Sequence, residues 1–282
     1  MNARPDRRRR CAPILPLAAL LAFGVGCDEN GTEPDPDPMG ATGTVILNFD
    51  AAVDGEPMEY GQGHDGYVNA AGNVYWVSNL EYTVSDFSME LTSHDAARGA
   101  ERFETGPETM HYRTHSDPAT RSFTLEDVPV GSYSHLHFRF GLDGSVNVDG
   151  AFPDLELAMG WPPPLGDGYH YMRHEGNFEA ASGDTIGYTT HTGPTQGTDF
   201  SFEVSLHLDE NSAGARHGFE VVADETVTVT LEMNVNEWYA TPNTYSFDDH
   251  GIIMPDPGAQ SLLMVNGSQE HGSTLWSVKA PE

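Results

Sequence analysis

Apolar and polar residues alternate in one segment after another of this chain, and no stretch beyond the N-terminal segment keeps a helical period. The alternation is strictest in residues 200–208 and in residues 227–235, where every second position is apolar. In a β-strand, side chains at every second position share one face. Because turn-rich connections separate these segments, the sequence predicts an all-β fold, a single antiparallel β-sandwich of immunoglobulin-like or related type.

Two long segments nearer the N-terminus follow the same rule, with a break in the second. The predicted inward face of the first strand is formed by Val45, Leu47 and Phe49. That of the second begins as Val74, Trp76, Leu80 and Tyr82 and continues as Phe87, Met89 and Leu91. The apolar phase shifts between the two sets, so we predict a β-bulge or corner near Ser85 and Asp86.

The N-terminus has the pattern of an export signal. A cluster of arginines precedes an apolar run over residues 12–25, which is too short for a bilayer-spanning helix of about 20 residues. Small residues before Cys27 are typical of a bacterial lipoprotein cleavage site, so we predict lipidation of Cys27; cleavage by an ordinary signal peptidase is the alternative. Residues 1–26 are therefore the predicted signal peptide of an exported protein, held at a membrane in the periplasm or at the outer surface of a Gram-negative bacterium.

The segment that follows the signal differs from the rest of the chain. Residues 27–43 are rich in Pro, Gly and acidic side chains and lack apolar periodicity, which predicts a disordered tether. Residues 44–282 form the predicted β-sandwich domain. With no cysteine after Cys27, this domain must be stabilised by its core rather than by disulfides.

Charge excludes two classes of partner. Without residues 1–26 the chain has 8 basic and 42 acidic residues, a formal net charge of −34. Nucleic acid and anionic lipid surfaces would repel such a chain, whereas cations are attracted to it. The same charge also serves solubility.

Sequence motifs of catalysis are absent. The chain has no H-E-x-x-H, G-x-S-x-G, P-loop or dinucleotide fingerprint. We therefore predict that the protein is not an enzyme. A glycosidase-like pair among the carboxylates is the alternative, because sequence spacing does not reveal which carboxylates converge in space.

Histidine is the residue type that points to a site. All 13 histidines follow the signal, and imidazole is a good ligand for copper, zinc and nickel. His135 and His137 alternate with core positions and are expected to face solvent. A second set, His170, Met172 and His174, either chelates copper or is exposed polar alternation. The remaining candidates lie where loops or strand ends are expected: His64, His111, His115 and His191.

Three stretches resemble the MbnP-like family of methanobactin-associated copper-binding proteins, which includes the CorA and MopE types. They are YVNAAGNVYWVSNLEYTVSDFSMEL, VPVGSYSHLHFRFGLDGSVN and AMGWPPPLGDGYHYMRHEG, followed by the short THTG of residues 190–193. The residues that match the family pattern are Gly141, Asp143, Asn147, Met159, Trp161, Gly168, Tyr169, Glu175 and Gly176. The resemblance covers roughly residues 43–270. Ala158 and Pro163 depart from the pattern, which puts the site region around Trp161 in doubt.

The resemblance implies a β-sandwich that binds copper, Cu(I) or Cu(II), outside the cytoplasm through histidines. By motif position His191 is the first implied ligand, followed by His111 and His115 and then His64. The face of His170 and His174 is variable in the family, which implies that these two are solvated.

In some members of the family a tryptophan is oxidised to kynurenine by a di-haem cytochrome c peroxidase-like protein of the MauG/MbnH type, which is the implied partner here. The implied candidates for this oxidation are Trp161 and Trp76.

We therefore predict an exported, lipid-anchored protein that captures or buffers copper through histidines. The alternative is a non-catalytic surface module that binds calcium through Asp-rich turns such as the one from Asp143 to Asp149. Ordinary turn chemistry also explains those aspartates.

Overall fold

A computed structural model of the chain describes residues 40–92, 102–208, 218–268 and 272–279, and in them the alternating segments form fourteen strands. The longer strands are β1 (Thr42–Val53), β4 (Val74–Leu91), β6 (Met110–Thr114), β7 (Ser122–Pro129), β8 (Gly131–Phe140), β9 (Met172–Glu179), β10 (Thr185–Thr192), β11 (Phe202–His207) and β13 (Thr226–Asn234). The short ones are β2 (Glu56–Pro57), β3 (Tyr67–Val68), β5 (Phe103–Glu104), β12 (Phe219–Val221) and β14 (Trp276–Val278). Cys27, the predicted signal and most of the predicted tether lie outside the described residues.

Helices are few and short. They are α1 (Glu156–Met159), α2 (Phe247–His250) and α3 (Pro257–Gly267), with 3-10 turns at Pro118–Arg121 and Val235–Tyr239. Asp256 caps α3 by accepting from the backbone N–H groups of Gly258 and Ala259. Within the described residues, no helix is long and apolar enough to cross a membrane.

The strands form two sheets. In the smaller sheet the order is β14-β13-β1-β2, with β7 also paired to β1. In the larger sheet it is β10-β9-β4-β8-β11, with β3, β5 and β6 paired to β4 and β12 paired to β8. The predicted all-β sandwich is confirmed, with one parallel pair, β1 and β13. These two strands come from opposite ends of the domain, so no tight hairpin forces them to be antiparallel.

The core lies between the sheets. Phe49 of β1 meets Phe138 of β8 edge to face, with ring centroids 6.1 Å apart. The alternation predicted for β1, β8 and β11 is confirmed, because its apolar positions are buried. Each fully buried side chain of this kind contributes about 1.5–3 kcal/mol. The buried set includes Val45, Leu47, Phe49, Leu136, Phe138, Phe140, Val204 and Leu206.

Strand β4 changes phase twice, once where we predicted it and once where we did not. Its pairing with β8 is irregular between Ser85 and Ser88, and Asp86 has a φ of 56°, as expected of a bulge. A second irregularity lies between Val77 and Asn79. The prediction that Trp76 faces inward with Leu80 was wrong, because this earlier bulge turns Tyr75 and Val77 into the core instead.

Candidate metal centre

The outer face of β9 and β10 supplies the first half of the site. Because side chains alternate along a strand, Arg173 and Glu175 point to the face opposite to buried Met172 and His174. His191 of β10 is paired with Arg173 across the ladder. The register therefore places His191, Arg173 and Glu175 together on one face.

A carboxylate fixes the tautomer of His191. Its Nε2 lies 2.8 Å from Oε1 of Glu175, and Arg173 donates to the same oxygen at 2.9 Å. The hydrogen bond from His191, together with the charge of Arg173, lowers the pKa of Glu175 to about 2, so this group is an ionised acceptor. His191 therefore donates through Nε2–H, and in the neutral ring the lone pair is on Nδ1, which is buried and has no hydrogen-bond partner among the described residues.

A backbone carbonyl fixes the tautomer of His170 in the same way. Its Nδ1 lies 3.0 Å from the carbonyl oxygen of Met159, which can only accept. The lone pair of His170 is thus on Nε2, which is also buried and has no partner in the described part of the chain. Burial lowers the pKa of His170 to about 3, so the ring is neutral at ordinary pH.

The two imidazole rings are in edge-to-face contact. The ring centroids of His170 and His191 are 5.1 Å apart, with an interplanar angle of 80°. Two imidazoles that bind one ion through nitrogens at about 2.0–2.1 Å have ring centres no more than about 6 Å apart. The separation therefore fits a shared ion, and each ring already has the outer hydrogen bond that metal-binding histidines usually make.

Trp161 packs against this pair. Its ring centroid lies 4.6 Å from that of His170 and its side chain is buried. No residue that the structure describes accepts a hydrogen bond from its Nε1–H. A Cβ placed on Gly193 would lie 2.5 Å from Cε3 of Trp161, so only glycine lets the indole lie this close to the end of β10. Gln260 of α3 accepts from the N–H of Gly193 at 3.0 Å and holds that strand end in place.

Asn147 and Asp149 hold the loop that brings Trp161 to the site. The Trp161 N–H donates to the Gly168 carbonyl at 2.8 Å, which closes the proline-rich loop between them. Asn147 Oδ1 then accepts from Tyr169 N–H, and Asp149 Oδ1 accepts from Gly168 N–H, each at 2.7 Å.

Asp143, the other end of the Asp-rich turn, accepts from Ser145 N–H at 2.8 Å. Asp143 and Asp149, the carboxylates of the calcium alternative, thus accept hydrogen bonds from backbone N–H groups.

The other predicted ligands have different surroundings. His111 stacks between Phe49 and Phe123 and lies 2.7 Å from the Thr120 carbonyl through Nε2. His115 stacks on Tyr60 at 4.1 Å. Neither makes a ring contact with His191 in the described part of the chain, and their role as ligands stays a prediction.

His64 lies beside Tyr67, with ring centroids 4.8 Å apart. The Nε1–H of Trp76 donates to the His64 carbonyl at 2.9 Å. The indole N–H of Trp76 is thus satisfied, unlike that of Trp161. Like His111 and His115, His64 stays a predicted ligand.

The residues of the sequence left His170 open as a copper ligand, and the resemblance to the family argued against it. We expected His170 and His174 to be solvated, and this was wrong, because both are buried. His174 is enclosed by tyrosines, with Tyr239 Oη 2.5 Å from its Nδ1 and Tyr188 Oη 3.1 Å from its Nε2. His170 precedes β9 and so escapes its alternation. An isolated β-bridge pairs Gly160 with Tyr169 and so brings His170 next to Trp161. The Gly168-Tyr169 pair at the end of the proline-rich loop is the sequence signal that could have suggested this bridge.

The centre is a two-histidine arrangement. Among the residues that the structure describes, no three His, Cys, Asp or Glu side chains are placed to hold one metal ion. The site therefore offers two imidazoles beside an indole.

The chain is similar to one family of known proteins. The MbnP family model matches residues 42–255 of the chain. Among solved structures, the chain is similar to MbnP from Methylosinus trichosporium, with 13% sequence identity, a TM-score of 0.47, and coverage of 85% of this chain and 99% of that one. No curated protein matches the chain.

Proposed function

Because the chain belongs to the MbnP family, we propose that it is a non-catalytic copper-binding protein that captures the ion between His170 and His191. The observation that carries this proposal is the pair of buried, unpartnered imidazole lone pairs in rings 5.1 Å apart. The association of the family with copper-related function supports the choice of metal.

Burial without a partner is costly for a polar nitrogen, and a bound ion removes that cost. Buried polar atoms in folded proteins nearly always have a partner, so two adjacent exceptions need an explanation. Imidazole nitrogen is a favoured ligand of copper. Glu175 and the Met159 carbonyl each bind the opposite nitrogen of their ring, which leaves Nδ1 of His191 and Nε2 of His170 as the ligand atoms.

Trp161 is the tryptophan that we propose for oxidation to kynurenine by a di-haem cytochrome c peroxidase-like partner. The position of Trp161 supports this choice, because its indole contacts His170. The Nε1–H of Trp161 has no partner among the described residues, whereas the Nε1–H of Trp76 donates to the His64 carbonyl. We further propose that the chain is exported and that a lipid on Cys27 holds it at a membrane surface, where it buffers copper.

The test is metal content by mass spectrometry. The full chain is exposed to equal Cu, Zn and Ca, desalted and measured beside His170→Asn and His191→Asn, with His250→Asn as a matched control because His250 lies outside the centre. We expect near-stoichiometric copper in the parent and the control and a loss of at least tenfold in both centre variants. Peptide mapping after co-expression with a di-haem cytochrome c peroxidase-like protein would show whether the peptide that contains Trp161 has the mass expected for kynurenine.

Other outcomes would count against the proposal. Copper retained by both centre variants and lost in His111→Asn, His115→Asn or His64→Asn would move the site to the histidines first implied by the sequence. Calcium alone, lost in Asp143→Asn, would support the surface-module alternative.

A further inference from the structure

A second group of histidines lies on the outer face of the larger sheet, on strands that the centre does not use. The register pairs His135 of β8 with His207 of β11 on one side and with Glu90 of β4 on the other. His137 is two residues further along β8 and therefore shares this face. Three adjacent strands thus present three imidazoles and a carboxylate to one patch of surface.

The rings of this patch are in contact. His135 and His207 have centroids 4.2 Å apart, and His135 and His137 are stacked 5.9 Å apart with nearly parallel planes. A cavity of about 180 Å³ opens beside His137 and is lined in part by Glu203 and Arg102. Of the three histidines, His137 is the one that lines this cavity, so the patch has nitrogen donors and there is space beside His137.

His137 is the member that ordinary hydrogen bonding does not explain. Both of its ring nitrogens are buried, and neither has a hydrogen-bond partner within the described residues. Each faces a carboxylate, with Nε2 3.6 Å from Glu90 Oε1 and Nδ1 3.8 Å from Glu203 Oε1. These separations are too long for hydrogen bonds. An imidazole nitrogen and a carboxylate oxygen on one tetrahedral ion, with bonds of about 2.1 Å, lie about 3.4 Å apart.

We propose that His137 and Glu90 form the core of a second site, which binds a divalent transition-metal ion of the Zn²⁺ type, and that His135 and His207 complete it. As the side chains stand in the described residues, no three of them surround one point, so the site requires the rings of His135 and His207 to turn toward the ion. His207 is exposed and His135 half-buried, which leaves both rings room to turn. Burial lowers the pKa of His137, which keeps this ligand neutral. Arg102 lies 3.7 Å from Glu90 on the exposed side and is displaced by the ion.

Calorimetric titration of the full chain with Zn²⁺ tests this site separately from the copper centre. We expect His137→Asn and Glu90→Gln each to weaken Zn²⁺ binding by at least tenfold, and the double change His135→Asn with His207→Asn to do the same. Glu220→Gln, which removes an exposed charge on β12, is the matched control and should leave the affinity unchanged. The double variant His170→Asn with His191→Asn should keep this binding event.

Two results would overturn the proposal. One is an unchanged Zn²⁺ affinity in both His137→Asn and Glu90→Gln, with the fold of each verified by circular dichroism. The other is a Zn²⁺ event that disappears only in the His170 and His191 variant, which would assign all metal binding to the copper centre. A failed copper test with a retained Zn²⁺ event would leave this second site standing.

Discussion

His191 donates its Nε2 proton to Glu175 across 2.8 Å, and this one contact determines which nitrogen of His191 carries a free lone pair. If the carboxylate were absent, the imidazole could adopt either tautomer. The link to Arg173, which also donates to Glu81 on β4 at 3.1 Å, ties the histidine to the middle of the larger sheet. The site is thus oriented by the strands beneath it.

Replacing Glu175 should weaken copper binding without unfolding the protein. Glu175→Gln keeps the shape but removes the ionised acceptor, and loss of such an outer partner typically costs 10–100-fold in metal affinity. Competition titration against a copper chelator would measure the loss, and ¹⁵N shifts of the imidazole would report the tautomer of His191. Glu179→Gln, an exposed change further along β9, is the control. An unchanged affinity and an unchanged tautomer would refute the role of Glu175.

Adding one methyl group at Gly193 should displace Trp161. The new Cβ would lie 2.5 Å from the indole, so Gly193→Ala is expected to destabilise the fold by about 1–3 kcal/mol and to lower copper affinity. Gly187→Ala on the same strand has its nearest atom at 3.7 Å and serves as the control. Urea unfolding of both variants would measure the difference. Equal stability of the two variants would show that the indole does not depend on this contact.

His174 should make the metal-free protein less stable in mild acid. Burial lowers its folded-state pKa to about 3, while an unfolded histidine titrates near about 6.5. Between these values the unfolded chain binds a proton that the folded chain does not, so stability is full above about pH 6.5 and falls as the pH drops toward 3. The slope is up to about 1.4 kcal/mol per pH unit.

Comparison with His174→Phe isolates this contribution, because carboxylates titrate in both proteins. The unfolding free energy of each, measured in urea with a chelator at pH 7, 6 and 5, should converge as the pH falls. Parallel curves would mean that His174 is protonated in the folded state.

The bulge at Asp86 gives a prediction about stability alone. Asp86 has a φ of 56°, where a side chain other than Asn or Asp costs about 1–2 kcal/mol. Asp86→Ala should therefore lower the unfolding free energy by about 1 kcal/mol, while Asp86→Asn, which removes the same charge, should change it little. Asp86 Oδ2 also lies 3.9 Å from Nε of Arg139, so if both variants lose equal stability, this ion pair rather than the backbone is the cause.

Strand periodicity predicted the sheets well where the strands are regular. Residues 45–49, 136–140 and 200–208 alternate because each strand has one buried face, and that burial is visible in the sequence. The bulge near Asp86 was also visible as a phase shift. The bulge after Val77 was not, because aromatic residues stand at both Tyr75 and Trp76 and the sequence does not say which of them is buried.

The sequence by itself determined the all-β class, the family and the presence of Trp161 and His191 in two successive motifs. These depend on the local apolar period and on the order of residues, both of which can be read from the sequence alone. Only the tertiary structure decided that His170 is the partner of His191, that both lone pairs are unpartnered, and that His135, His137 and His207 share a patch with Glu90. Each of these depends on which residues the strand register and loop closure bring together, and residues far apart in the chain carry no local signal of that contact.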